Sequence, residues 1–173
     1  MRQDIESLPR PWVADIGSGS DPFPLANILV DLYPDDNKHR PNHVDLVRDE
    51  RVFIIADVQA LPFRDQSLDF VFCRDVIEHV DDPIKAVNEL LRVAKAGMIL
   101  CPTMTRDWMA SQEDPEGWST HKWWVLYERK GEFHFEERKS ELGPGGLQVG
   151  ASEYVLGAWG GCPMIEEVAG GTP

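Results

Sequence analysis

Hydrophobic positions in this chain fall into short unbroken runs, each stopping at an acid, a glycine or a proline. Val13-Ala14-Asp15-Ile16, Ile28-Leu29-Val30-Asp31-Leu32-Tyr33, Val52-Phe53-Ile54-Ile55-Ala56-Asp57, Asp69-Phe70-Val71-Phe72 and Met98-Ile99-Leu100-Cys101-Pro102 are rich in β-branched and aromatic side chains. Runs of that length, apolar on both faces, predict buried parallel strands. Before the last of them, Asp81-Asp82-Pro83 is a helix start signal, and Ile84, Val87, Leu90, Leu91 and Ala94 recur at helical spacing up to Gly97, the expected stop. Lys85, Asn88, Glu89 and Arg92 are expected to face outward. Further on, Ser119 or Thr120 caps a predicted short helix through Arg129, with Trp123, Trp124 and Tyr127 on one face and Gly131 as its stop. Glu132-Phe133-His134-Phe135-Glu136 alternates as a half-buried antiparallel strand does, with His134 outward; after a Gly/Pro-rich bend at Leu142 to Gly150, Glu153 to Trp159 predicts a last strand. This β-α-β rhythm predicts an α/β fold, a doubly wound, mostly parallel sheet with its ligand at the carboxyl edge of the strands.

Composition narrows the picture without redirecting it. A length of 173 residues suits one domain, read as residues 1–160 with a loosely ordered tail at 161–173. No window approaches the apolar length of a membrane span, and Met1 to Arg10 lacks a signal-peptide core, so a cytoplasmic protein with no membrane contact is expected. Cys73, Cys101 and Cys162 are odd in number and widely spaced, which predicts reduced core thiols. The formal net charge of −13 repels phosphate backbones and disfavours nucleic acid as substrate; small molecules or basic partners fit better. His39 and His43, in a charged loop from Pro34 to Glu50, are expected to be solvent-exposed.

The candidate chemistry begins where the first run breaks into Gly17-Ser18-Gly19. Glycines there free the backbone to take positive φ and admit a ligand close to the main chain. Pro22 and Pro24 bar a regular helix in the short stretch before the second run, so no helix is expected between strands one and two. In nucleotide-binding α/β folds an acid at the end of the second strand, here Asp31, accepts hydrogen bonds from ribose hydroxyls. The Asp-x-Gly-x-Gly form beginning at Asp15 resembles the first motif of the class I S-adenosylmethionine (SAM)-dependent methyltransferases. Leu61-Pro62-Phe63-x-Asp65-x-Ser67-Leu68-Asp69-Phe70-Val71 resembles the loop and fourth strand of their small-molecule branch, which holds the ubiquinone and menaquinone biosynthesis enzymes. The resemblance runs from about Trp12 to Pro102.

That resemblance implies a Rossmann-like, seven-stranded sheet with a shortened N-terminus, and SAM as cofactor. It places Asp15, Gly17, Ser18, Gly19, Asp31 and Leu32 at the cofactor, Asp57 toward the exocyclic amine of adenine with Val58 on the ring, and Cys73 and Arg74 beside the methionyl part. Trp108, Met109 and Trp118, in the polar loop after Thr103, either wall an acceptor pocket or cover the sheet edge. A nicotinamide dehydrogenase fits poorly, because the third glycine of that fingerprint is lacking.

Asp75, Glu78 and His79 follow the fourth strand at spacings that share a face on a helical turn. Two carboxylates and an imidazole can hold Mg²⁺, Mn²⁺ or Zn²⁺, or His79 can act as a general base oriented by a carboxylate, or Glu78 and His79 can simply shape the cleft. The segment resembles the acid-x-x-Glu-His stretch of small-RNA 2′-O-methyltransferases and ubiquinone O-methyltransferases, in which a divalent metal is held; His121 is then the natural further ligand. The expected function is methyl transfer to a small-molecule acceptor, with His79 as the catalytic base for a hydroxyl. A metal-dependent RNA ribose methyltransferase and a non-catalytic SAM- or S-adenosylhomocysteine-binding module are the alternatives. A homodimer or a partner chain could complete the shortened cofactor loop.

Overall fold

A computed structural model describes residues 8–36, 44–103, 106, 121–128, 132–137 and 154–159. The five apolar runs form strands β1 (Val13–Ile16), β2 (Ile28–Asp31), β3 (Val52–Ile55), β4 (Phe70–Arg74) and β5 (Gly97–Pro102), all mutually parallel. They continue through β6 (Trp123–Glu128), β7 (Glu132–Glu137) and β8 (Tyr154–Trp159), and helix α1 (Pro83–Val93) crosses between β4 and β5. The main sheet runs in the order β3-β2-β1-β4-β5-β8, with β8 antiparallel beside β5. Strand order reverses between β1 and β4, the switch point where ligands bind in open α/β sheets.

Residues alternate between the two faces. Ala14, Ile16, Ile28, Val30, Val71 and Ile99 join the core under α1, whose Ala86, Leu90 and Val93 are fully buried. Val13, Leu29, Phe70, Phe72 and Met98 build the second core on the opposite face. As the prolines predict, no helix covers that face between β1 and β2; the loop itself does so. Phe23 lays its ring on Phe72 at a centroid distance of 4.5 Å and on Phe70 at 6.4 Å. One stacked aromatic residue thus supplies much of the cover that a crossover helix provides elsewhere.

Helix α1 is capped as its sequence directs: the Asp82 side chain accepts from Lys85 N–H at 2.9 Å, and Pro83 opens the first turn. Its far end differs from expectation. The helix closes at Val93, where the Gln66 side-chain amide donates to the carbonyls of Leu91, Arg92 and Ala94, and Gly97 instead opens β5. The buried stripe is also rotated, with Ile84 63% and Leu91 41% exposed and Glu89 and Arg92 half-buried. Arg92 is drawn in by the carbonyls of Leu61 and Phe63 and by Glu89 and Asp65.

The predicted helix from Ser119 to Arg129 is corrected: Trp123–Glu128 is a strand, paired antiparallel with β7 in a separate two-stranded sheet. Aromatic and β-branched residues fit a pleated surface better than a helix, and the cross-strand pairing settles it. Trp124 and Val125 are buried and His134 is exposed. The main sheet therefore has six strands among the described residues, where seven were expected, while the α/β class stands. Cys73 and Cys101 are buried free thiols, as expected. His39, His43, Cys162, the aromatic loop bearing Trp108, Met109 and Trp118, the bend at 142–150 and the tail at 161–173 lie outside the described residues. No described helix is long and apolar enough to cross a membrane.

Candidate functional site

A cleft of about 620 Å³ opens at the carboxyl ends of β1, β2, β3 and β4. Its floor is the glycine turn, where Gly17 has φ +74° and Gly19 φ +53°. A Cβ on Gly17 would lie 2.2 Å from Val76 Cγ2, so this glycine is demanded by close approach as well as by conformation. The turn's amides are already committed: Gly17 and Ser18 N–H donate to Val30 C=O at 2.8 and 3.1 Å, and Gly19 N–H to Asp31 Oδ2 at 3.2 Å. An anion-binding nest needs such amides open. The amides of Gly17, Ser18 and Gly19 are therefore not open to cradle a phosphate.

Asp31 ends β2 because its own carboxylate turns the chain, Oδ1 accepting Tyr33 N–H at 2.9 Å while Oδ2 takes Gly19. The two bonds orient it into the cleft beside Leu32 and Tyr33. At the next strand, Asp57 accepts Gln59 N–H at 2.8 Å and caps a single 3₁₀ turn at Val58–Ala60, which puts Asp57, Val58 and Gln59 in the cleft wall. Asp15 is buried beneath the glycine turn and accepts Phe23 N–H at 2.7 Å. Burial pushes its carboxyl up to about 6, against the pull of the Phe23 amide and the charges of Arg74 and Arg51. Arg74 ends β4 and meets Asp21 Oδ2 at 2.9 Å across the cleft mouth. Cys73 is buried in the core under α1 and does not line the cleft; burial drives its thiol and that of Cys101 well above the ordinary range, in keeping with core packing.

Asp75 turns the chain out of β4 at φ +55°, a conformation aspartate tolerates better than most residues. A 3₁₀ turn over Ile77–His79 follows, in place of the regular helical turn on which the expected convergence rested. In consequence Asp75 lies in the cleft wall but outside the cluster formed by Glu78, His79 and His121, whose ligand atoms all lie within 4.8 Å of one another. Glu78 is 1% exposed, and the His79 and His121 rings meet edge to face at 4.4 Å. His121 arrives from far along the chain because the start of β6 is tied down: Lys122 N–H donates to Glu78 C=O at 2.7 Å, Lys122 Nζ pairs with Asp81 at 2.5 Å, and Trp123 Nε1 donates to Val80 C=O at 2.8 Å. Two imidazoles and one carboxylate form a borderline donor set, better matched to Zn²⁺ or Mn²⁺ than to Mg²⁺.

Electrostatically the cleft is acidic, lined by Asp15, Asp21, Asp31, Asp57, Asp75 and Asp81 against Arg74 and Lys122. Such a surplus favours a cationic ligand. Gln59, Phe72, Val76, Asp81 and Lys122 also line the cleft and were not expected there from sequence. Gln59 carried a usable signal, lying two residues after an acid that can cap a turn; Lys122 carried none.

The sequence profile described as "Methyltransferase domain" matches residues 26–101. That match supports the class I SAM-dependent methyltransferase family that the motifs resemble. The chain is 33% identical over 96 residues to an uncharacterized methyltransferase of Mycobacterium leprae (strain Br4923), covering 53% of this chain and 36% of that protein. It is 32% identical over 103 residues to the demethylmenaquinone methyltransferase of Renibacterium salmoninarum, covering 54% and 40%. The chain thus spans well under half the length of these curated relatives. Its fold is similar to a SAM-dependent methyltransferase of Thermotoga maritima, with a TM-score of 0.50 and 18% identity over 87% of this chain and 82% of that one.

Proposed function

We propose that this domain binds SAM in the cleft and transfers its methyl group to a small-molecule acceptor entering beside His79 and His121. The observation that carries the reading is the pairing of Asp31 with the glycine turn. The turn's amides are spent on Val30 and Asp31, while the Asp31 carboxylate, an acceptor only, lines the cleft. That arrangement suits ribose hydroxyls with no phosphate nearby. The Ser18 hydroxyl is buried with no hydrogen-bond partner among the described residues, which fits a polar ligand at the turn. The acid surplus complements a sulfonium. SAM supplies a methyl group already activated by that positive charge, so the chain's task is mainly to bind, orient and exclude water. His79 lines the cleft wall, which supports its reading as the group that takes the proton of a hydroxyl acceptor. The likeness to the demethylmenaquinone methyltransferase supports the small-molecule acceptor class.

Calorimetric titration of the full chain with S-adenosylhomocysteine tests this directly. Micromolar binding is expected for the wild type, and Asp31→Ala is expected to weaken it at least about a hundredfold, since one substitution removes a charge-assisted contact and frees the turn. Wild-type protein that binds neither S-adenosylhomocysteine nor SAM would sink the reading.

A second reading rests on the Glu78, His79 and His121 cluster, which we propose can hold a divalent cation at the acceptor side. Chelator-treated protein titrated with Zn²⁺ or Mn²⁺ is expected to bind one equivalent, and His121→Ala to lose it. Equal binding by the two proteins would assign any bound metal elsewhere.

A further inference from the structure

Gln59, in the cleft wall beside Asp57, is held at both ends of its side-chain amide. Its Nε2 donates to both carboxylate oxygens of Asp57, each at 3.2 Å, while its Oε1 accepts Asp82 N–H at 2.9 Å. The amide can take only this orientation, because a carboxylate only accepts and a backbone N–H only donates. Gln59 therefore bridges the cleft wall to the N-cap of α1, where the Asp82 side chain in turn accepts Lys85 N–H. On Asp57 the consequence is specific. Oδ1 takes Gln59 N–H and half of the amide, Oδ2 takes the other half, and the remaining acceptor capacity on Oδ2 is left to the cleft. A carboxylate pinned in this way cannot rotate or withdraw to solvent, and it rejects a carbonyl placed against it.

We propose that Gln59 is the specificity-determining positioning residue of the base pocket: it locks Asp57 so that the cleft selects an aminopurine, which presents an N–H donor, over an oxopurine, which presents a carbonyl. This rests on the SAM-binding reading above. The residue acts through Asp57 and needs no contact with the ligand. Two ends of one amide also have separable roles, the donor end setting selectivity and the acceptor end tying the wall to α1.

The test is calorimetric titration of the full chain with S-adenosylhomocysteine and with its deaminated counterpart, S-inosylhomocysteine. The wild type is expected to prefer the amino ligand by about tenfold or more. Gln59→Ala is expected to lose most of that ratio, mainly through weaker binding of the amino ligand. Gln59→Glu keeps an acceptor for Asp82 N–H but replaces the donor with a like charge, and is expected to lose the ratio with a smaller drop in thermal stability. A purely structural role would weaken both ligands equally and leave the ratio intact; that result in both variants overturns the proposal. If the wild type binds S-adenosylhomocysteine but shows no preference, the proposal falls and the cofactor reading stands; if it binds neither ligand, both fall.

Discussion

Gly17→Ala is expected to destabilise the domain by about 3 kcal/mol and to weaken S-adenosylhomocysteine binding more than tenfold. Two costs combine. An L-residue at φ +74° is strained by roughly 1–2 kcal/mol. The added methyl would also stand 2.2 Å from Val76 Cγ2, and relieving such overpacking costs a further ~1–3 kcal/mol. Val76 lines the cleft, so moving it reshapes the wall opposite the turn. Gly19→Ala is the matched control, because its φ is +53° but the nearest atom to its Cβ is 3.7 Å away. Denaturant unfolding of the two variants should differ by the steric share alone, and Val76→Ala in the Gly17→Ala background should recover most of it. Equal stability of the two glycine variants would show that Val76 yields without cost.

Asp15→Asn is expected to gain stability relative to the wild type as pH rises. Burial raises the folded-state carboxyl from 3.8 to about 6. A raised pKa means that the folded state favours the protonated form: the stabilising contribution is complete below about 3.8 and is lost as pH rises through about 6. At pH 8 the ionised, buried carboxylate costs about 3 kcal/mol, of which only about 1 is incurred at pH 4.5. The stability difference between Asn variant and wild type should therefore grow by about 2 kcal/mol between those pH values. Unfolding at a series of pH values measures it, and a pH-independent difference would mean that Asp15 titrates normally. An ionised Asp15 under the turn also gives a cationic ligand a partner, so the instability has a use if the cleft takes a sulfonium.

Much of this architecture could be read before the structure, for local reasons. Strands β1 to β5 were legible because parallel strands are buried on both faces and appear as continuous apolar runs. The Asp82-Pro83 cap, and the exclusion of a helix by Pro22 and Pro24, depend only on backbone chemistry within a few residues. Asp31 and Asp57 stood out because each ends such a run, and the cleft forms where runs end. Other features were illegible for equally physical reasons. Trp123 to Glu128 has an aromatic pattern compatible with either period, and pairing with Glu132 to Glu137 decided it. The face of α1 turned because Arg92 found carbonyls at Leu61 and Phe63, acceptors that no helical wheel contains.

The amino-acid order by itself determined the elements and the acids at their ends, since caps, breaks and apolar runs are properties of neighbours in sequence. Only the tertiary structure decided which of those acids work together. The spacing of Asp75, Glu78 and His79 suggested one face of a helix, but a left-handed residue and a 3₁₀ turn set Asp75 apart and left Glu78 and His79 with His121, the further ligand that the resemblance had implied. Gln59 acquired its role the same way, through an N–H at Asp82 that is remote in sequence and adjacent in space. Side-chain partnerships across the sheet depend on register and packing, and those exist only once the strands have assembled.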